Sequence, residues 1–378
     1  MLHNLSVQYR IPMLMLGFVS LAFGIGSGLL RFGWNFPLPS ASLASFHGPL
    51  MVCGFLGTVI SLERAVAIGQ RWAYWGPLSA ALGGMALITG LPWFIGAALV
   101  AVASSILCIV SAHIFFRQRA LFTLTMLLGS LSWLLGNLLW LGGLGIAQVA
   151  PWWIGFLVLT IAGERLELSR FLPPSPSSKT VFIAIITLFL IGAVAATLWS
   201  TWYVHVFSAA LLALALWLLR HDVARHTIKQ QGLTRFMAVC LVSGYIWLLV
   251  GALIGLLSQQ LMPASSYDAF LHAILVGFVF SMIFGHAPII FPAVAKVRIL
   301  YHPTFYLPLI VLHASLVIRV AGDLLQSPHG RSAGGALNAV ALLLFVLSTA
   351  IAIIRGKRQK AQQEHMTSPS FHGGNSNS

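Results

Sequence analysis

The chain has 378 residues, 58% hydrophobic and only 7% charged. A soluble domain carries about a quarter charged residues, so a water-soluble globular fold is excluded. The net charge of +14 does not mark a nucleic-acid surface, because the basic residues alternate between loops, as membrane insertion requires.

Apolar runs of about twenty residues predict membrane spans. Strict polar–apolar alternation is absent, which selects helices over a barrel. Twelve spans are predicted, at 11–30, 44–66, 73–90, 93–116, 119–142, 150–166, 180–200, 203–219, 234–258, 268–291, 304–324 and 335–354. Of the 21 Lys and Arg residues, 18 fall on one side, from Arg10 and Arg64 to Arg358 and Lys360. Only Arg31, Arg319 and Arg331 fall on the other. The basic side is called inner here, and both termini are expected there, in the cytoplasm. The first span is expected to be kept, not cleaved as a signal peptide, although PSASLAS follows it. Residues 1–360 read as one transmembrane domain and 361–378 as a disordered cytoplasmic tail.

A motif recurs three times. GFLGTVISLE (54–63) returns as GFLVLTIAGE (155–164) and as GFVFSMIFGH (277–286). Phe55, Phe156 and Phe278 are each followed, eight residues on, by Glu63, Glu164 or His286. The copies divide the chain into three four-helix pseudo-repeats, about 1–118, 119–232 and 233–360. The second, sixth and tenth spans are equivalent and are expected to be neighbours at the centre.

Ionisable groups within a bilayer are costly, so each is a functional candidate. His47, His205 and His272 fall at the outer side of their spans. His286 lies fourteen residues beyond His272, or roughly 21 Å deeper, and His113 is also near the inner side. His47 and His272 stand on repeat-equivalent helices at matched depth. Two neutral imidazoles so placed can hold a haem iron from both faces. Gly48, Gly54, Ala273 and Gly277 are close by and leave room for a flat ring. The other reading of His47 is an interfacial histidine bonded to a carbonyl. His313, His286 and His205 stand behind this pair as metal candidates. His205 sits among interfacial aromatics. His313 is mid-membrane, open to roles as ligand, proton relay or a helix–helix hydrogen bond worth about 1 kcal/mol. Glu63, Glu164 and His286 form an inner cluster that can bind a metal or carry protons. Ion pairing at the helix ends, with Arg64 and Arg165, explains the two Glu equally. Asp268 is expected as an N-cap, and Asp323 as the partner of Arg319 four residues back. Cys53, Cys108 and Cys240 lie in apolar runs and read as packing residues.

The twelve spans, three blocks and outer histidines resemble subunit I of the haem-copper oxidases. FHGPLMVCGF (46–55) and LHAILVGFVFSMIFGH (271–286) more closely resemble the NnrS family. Those are bacterial inner-membrane proteins of the nitric oxide response, described as containing haem and copper. The resemblance implies an all-α polytopic, haem-copper-oxidase-like fold in the bacterial inner membrane. It implies a b-type haem on His47 and His272, and a role in nitric oxide response or tolerance with that gas as a small ligand. It names no redox partner and leaves open whether the chain is an enzyme. The departures concern copper. The sixth and seventh spans carry no His, no His-His pair occurs, and the tenth lacks a closely spaced second ligand. Copper is thus without the ligands that the oxidases use. The alternative function is a proton-coupled secondary transporter using the inner cluster and His313 as its path. A third is a structural membrane partner.

Overall fold

The computed structural model describes residues 4–34, 39, 41–169, 176–198, 202–258 and 264–367. Among them all regular structure is helical. The major helices are α1 (Val7–Leu30), α2 (Ser42–Ile68), α3 (Trp75–Ile88), α4 (Trp93–Arg117), α5 (Leu121–Leu141) and α6 (Ile146–Ser169). They continue as α7 (Pro176–Thr197), α8 (Tyr203–His221), α9 (Gly232–Leu257), α10 (Ala264–Ala295), α11 (Tyr306–Leu324) and α12 (Pro328–Thr367). Eleven are long and apolar enough to cross a membrane, as expected of a multi-pass membrane protein whose backbone must satisfy itself in lipid. The exception is α3. Its 14 residues make about 21 Å of helix against a hydrocarbon core of about 30 Å. The turn Arg71–Tyr74 takes up the start of the apolar run.

Short loops make sequence neighbours into spatial neighbours. α3 packs on α4, α4 on α5, α5 on α6, α7 on α8, α8 on α9, α9 on α10 and α11 on α12. α2 ends at Gly69, whose φ of 68° lies in the left-handed region where a Cβ is disfavoured. The apolar stretches of α6, α10 and α2 are 78%, 61% and 56% buried, and no other crossing helix exceeds 50%. α10 touches both α2 and α6. α2 and α6 are joined by the Arg64–Glu164 ion pair. Trp133 of α5 wedges between them, its ring stacked on Phe156 at 4.6 Å. A Cβ on Gly57 would overlap that ring, so the glycine permits this packing.

Both histidine-bearing inner helices depart from α geometry. α2 has a π-helical segment at Leu50–Leu56 and α10 one at Ala273–Phe280, whereas α6 has none. Such segments add a residue per turn and gather at functional sites.

Two expectations need correction. The last helix does not stop near 360 but runs to Thr367. Its continuation, Ala361-Gln362-Gln363-Glu364, consists of good helix formers; residues 368–378 of the expected tail lie outside the described residues. Asp268 is not an N-cap, because its helix begins at Ala264.

Replacing Gly57 by Ala is expected to cost about 1–3 kcal/mol through overpacking against Trp133. Gly145→Ala is the control, since a Cβ there meets nothing nearer than 3.8 Å. Thermal unfolding in detergent should lower the transition of the first variant only.

Candidate functional site

The outer half encloses a cavity of about 640 Å³ between α1, α2, α10, α11, α12 and the start of α6. His47 and His272 both line it. Their rings stand 6.4 Å apart, centre to centre, with planes within 11°. His47 Nδ1 is bonded to the Gly24 carbonyl at 2.7 Å. His272 Nδ1 is bonded to the Asp268 carbonyl, also at 2.7 Å. A carbonyl only accepts, so each Nδ1 carries the proton and each Nε2 keeps its lone pair. That is how metal-binding imidazoles are commonly oriented.

The seat for His47 is made by α1. A Cβ on Gly28 would lie 2.8 Å from His47 Nδ1, so only glycine lets the ring lie against that helix. Gly24 and Gly28 were not among the residues expected from sequence. The small-residue spacing in Gly-Ile-Gly-Ser-Gly was the available sign.

A charged network borders the same cavity. The Asp323 carboxylate accepts from Arg319 at 2.9 Å and from Arg331 at 2.7 Å. Asp268 faces the same two guanidinium groups at 3.4 and 3.2 Å. Arg319 also lies 4.4 Å from the centre of the Phe32 ring. Close contact of α12 with the backbone of Arg319 is possible because Gly334 has no side chain. Arg31, Arg319 and Arg331 all line the cavity. They are the three basic residues that fall outside the inner-side majority.

A second cavity, of about 90 Å³, lies between α1, α2, α6, α10 and α12, and Glu63, Glu164 and His286 are among the residues that line it. Leu56 borders both cavities, and Phe55 and Phe280 stack at 6.2 Å between the two helices there. The polar pairs cross from helix to helix. Arg64 of α2 donates to Glu164 of α6, and Arg165 of α6 donates to His286 Nε2 of α10 at 2.8 Å. His286 Nδ1 is turned to the Met282 carbonyl at 2.6 Å. Just beyond α8, burial pushes the Asp222 carboxyl up, opposed by the nearby Arg165 charge and by the Ala224 N–H at 2.6 Å.

The other histidines stand apart. His205 Nε2 is bonded to the Ser258 carbonyl at 3.1 Å. His313 Nδ1 accepts from the Trp247 indole at 2.9 Å. Neither lines either cavity. Among the described residues no group of three or more His, Cys, Asp or Glu is arranged to hold a metal ion.

A family model described as "Domain of unknown function (DUF8744)" matches residues 10–354, from α1 into α12. The chain belongs to that family. The DUF8744 region thus contains both cavities and every residue that lines them. A comparison with curated proteins finds no match.

The Arg319–Asp323 pair is deeply buried, and removing one partner of such a pair costs about 3–5 kcal/mol. Arg319→Leu should destabilise the protein by that order. Arg319→Leu combined with Asp323→Leu should recover part of the loss. Chemical unfolding of the two variants side by side measures this.

Proposed function

We propose that the outer cavity holds a b-type haem with His47 and His272 as its two axial ligands. In this reading the protein is an NnrS-like haem protein of the bacterial inner membrane, acting in nitric oxide response or tolerance. The observation that carries it is the facing of two near-parallel imidazoles across one cavity, 6.4 Å between centres. Two metal–nitrogen bonds of about 2 Å, plus about 1 Å from each nitrogen to its ring centre, require roughly 6 Å. The bonds from Nδ1 to backbone carbonyls leave both Nε2 atoms available. A volume of about 640 Å³ falls within the range of cofactor pockets. Arg31 at its lining offers a partner for an anionic carboxylate such as a propionate, whereas Arg319 and Arg331 are already paired with Asp268 and Asp323.

A haem held by His47 and His272 would supply one-electron redox chemistry. The chain's part is to hold the imidazoles, exclude water with apolar walls and place positive charge beside the cavity. The nitric oxide role rests on the resemblance of 46–55 and 271–286 to the NnrS family.

The same reading treats α3 and its preceding turn as a twelfth crossing, with α2, α6 and α10 around a pseudo-threefold axis. Their high burial and shared inner cavity support it. Reporters fused after residue 360 and within 220–233 should then report cytoplasm, and those near 145 and 262 the outer side. A C-terminus on the outer side would break the scheme.

Purified protein, expressed with ample haem, should give a sharp low-spin spectrum on reduction. His47→Ala and His272→Ala should each abolish it, His205→Ala should leave it, and Gly28→Ala should weaken it by displacing the His47 ring. Folded protein without haem absorbance would overturn the reading. The proton-coupled transporter would then take its place, favoured by the ionisable lining of the inner cavity.

A further inference from the structure

We propose that the inner cavity is a hydrated proton-binding site, with the Glu63 carboxyl as its exchanging group. The inference rests on the inner cavity alone and is independent of haem.

Acids outnumber the cations free to pair with them around the inner cavity. Glu63 and Glu164 line one cavity, and Arg64 gives its guanidinium to Glu164. Arg165, the next cation, is turned to His286 and lies beside the Asp222 charge. Among the described residues, Glu63 has no hydrogen-bond or ion-pair partner of its own. Arg64, the cation that acts on Glu63, is hydrogen-bonded to Glu164, and two carboxylates sharing one cation at this depth are expensive. A proton, or water that can deliver one, removes the cost.

A cavity needs about 10–15 Å³ to hold a water, together with two or more polar partners. This one offers about 90 Å³ and two carboxyl groups. Arg165 Nε, buried and without a protein partner, adds a free donor next to it. Arg64 and Glu164 keep 16% and 26% of their side-chain surface exposed, and the Phe55–Phe280 stack lies between this cavity and the outer one.

The other titratable groups on elements packed against α2 are already engaged or apart. Arg10 of α1 is bonded to the Leu5 and Val294 carbonyls. Tyr74, in the turn before α3, donates to Asn4. His113 of α4 does not line the cavity. The chemistry is a simple equilibrium: the carboxylate gains one proton from water on the inner face and returns it there, with no covalent or redox step.

The test is an infrared pH titration of the full-length protein in lipid nanodiscs, in H₂O and in D₂O. Wild-type protein should show a carboxylic C=O band that titrates and shifts in D₂O. Glu63→Gln should lose that band, and Glu164→Gln should keep it. Glu63→Asp should move its frequency, which keeps the assignment readable if the Gln variant does not fold. The proposal is overturned by a band that survives in Glu63→Gln, by one lost only in Glu164→Gln, or by the lack of any exchangeable carboxyl band. The measurement needs no bound cofactor, so a missing haem spectrum and a missing carboxyl band are separate failures.

Discussion

The outer cavity depends on one hydrogen bond, from His47 Nδ1–H to the carbonyl of Gly24. A helical carbonyl has two lone pairs and can serve its own helix and a visiting donor together. That visit requires close approach, which Gly28 permits. The contact fixes the tautomer and angle of one ring and the spacing of α1 from α2. His272 is held differently, by a carbonyl one turn back in its own helix. One ring is therefore positioned by a neighbouring helix and the other by its own, and the distance between them is set by how α1, α2 and α10 pack.

The buried charges extend that arrangement across the bundle. Asp268 sits four residues before His272 and supplies its backbone carbonyl to the ring. Its side chain faces Arg319 and Arg331. The residue that orients the imidazole is thus tied to α11 and to the start of α12. At the other end, Arg64–Glu164 and Arg165–His286 link α2 to α6 and α6 to α10 in turn. Both sets of pairs stand beside cavities and serve as helix-to-helix ties with limited freedom to rearrange, since a buried charge that loses its partner is left unpaired at high cost.

Much of this was legible in the sequence because its causes are local. Run length reveals spans, and the repeated Gly-Phe motif marks helices that can approach closely, as Gly54 does at Ser20 and Gly277 at Trp247. The inner pairing was only half legible. Glu63 and Arg64 are adjacent, but neighbours on a helix point in different directions, so Arg64 pairs with a residue 100 positions away. Asp268 meets Arg319 and Arg331 across 51 and 63 positions, beyond the reach of any local pattern. The seat of His47 on Gly24 was the least legible part, since a backbone carbonyl is common to every residue type. The short α3 was hidden for a different reason: hydropathy records apolar length and is blind to the turn that consumes part of it.

The two histidines stand at different spacings from the recurring motif. His47 precedes Gly54 by seven residues, whereas His272 precedes Gly277 by five. In uniform α-helices a difference of two residues turns a side chain by about 200° relative to the shared motif. The motif alone therefore does not aim both rings at one point. In α2 and α10 the segment between histidine and Gly-Phe is π-helical, and the altered residues per turn rotate each histidine relative to its motif. α6 carries the motif without a histidine near its start and without a π segment. Departure from α geometry thus accompanies the ring-bearing helices alone, which ties it to the placement of the imidazoles more closely than to the packing that all three share.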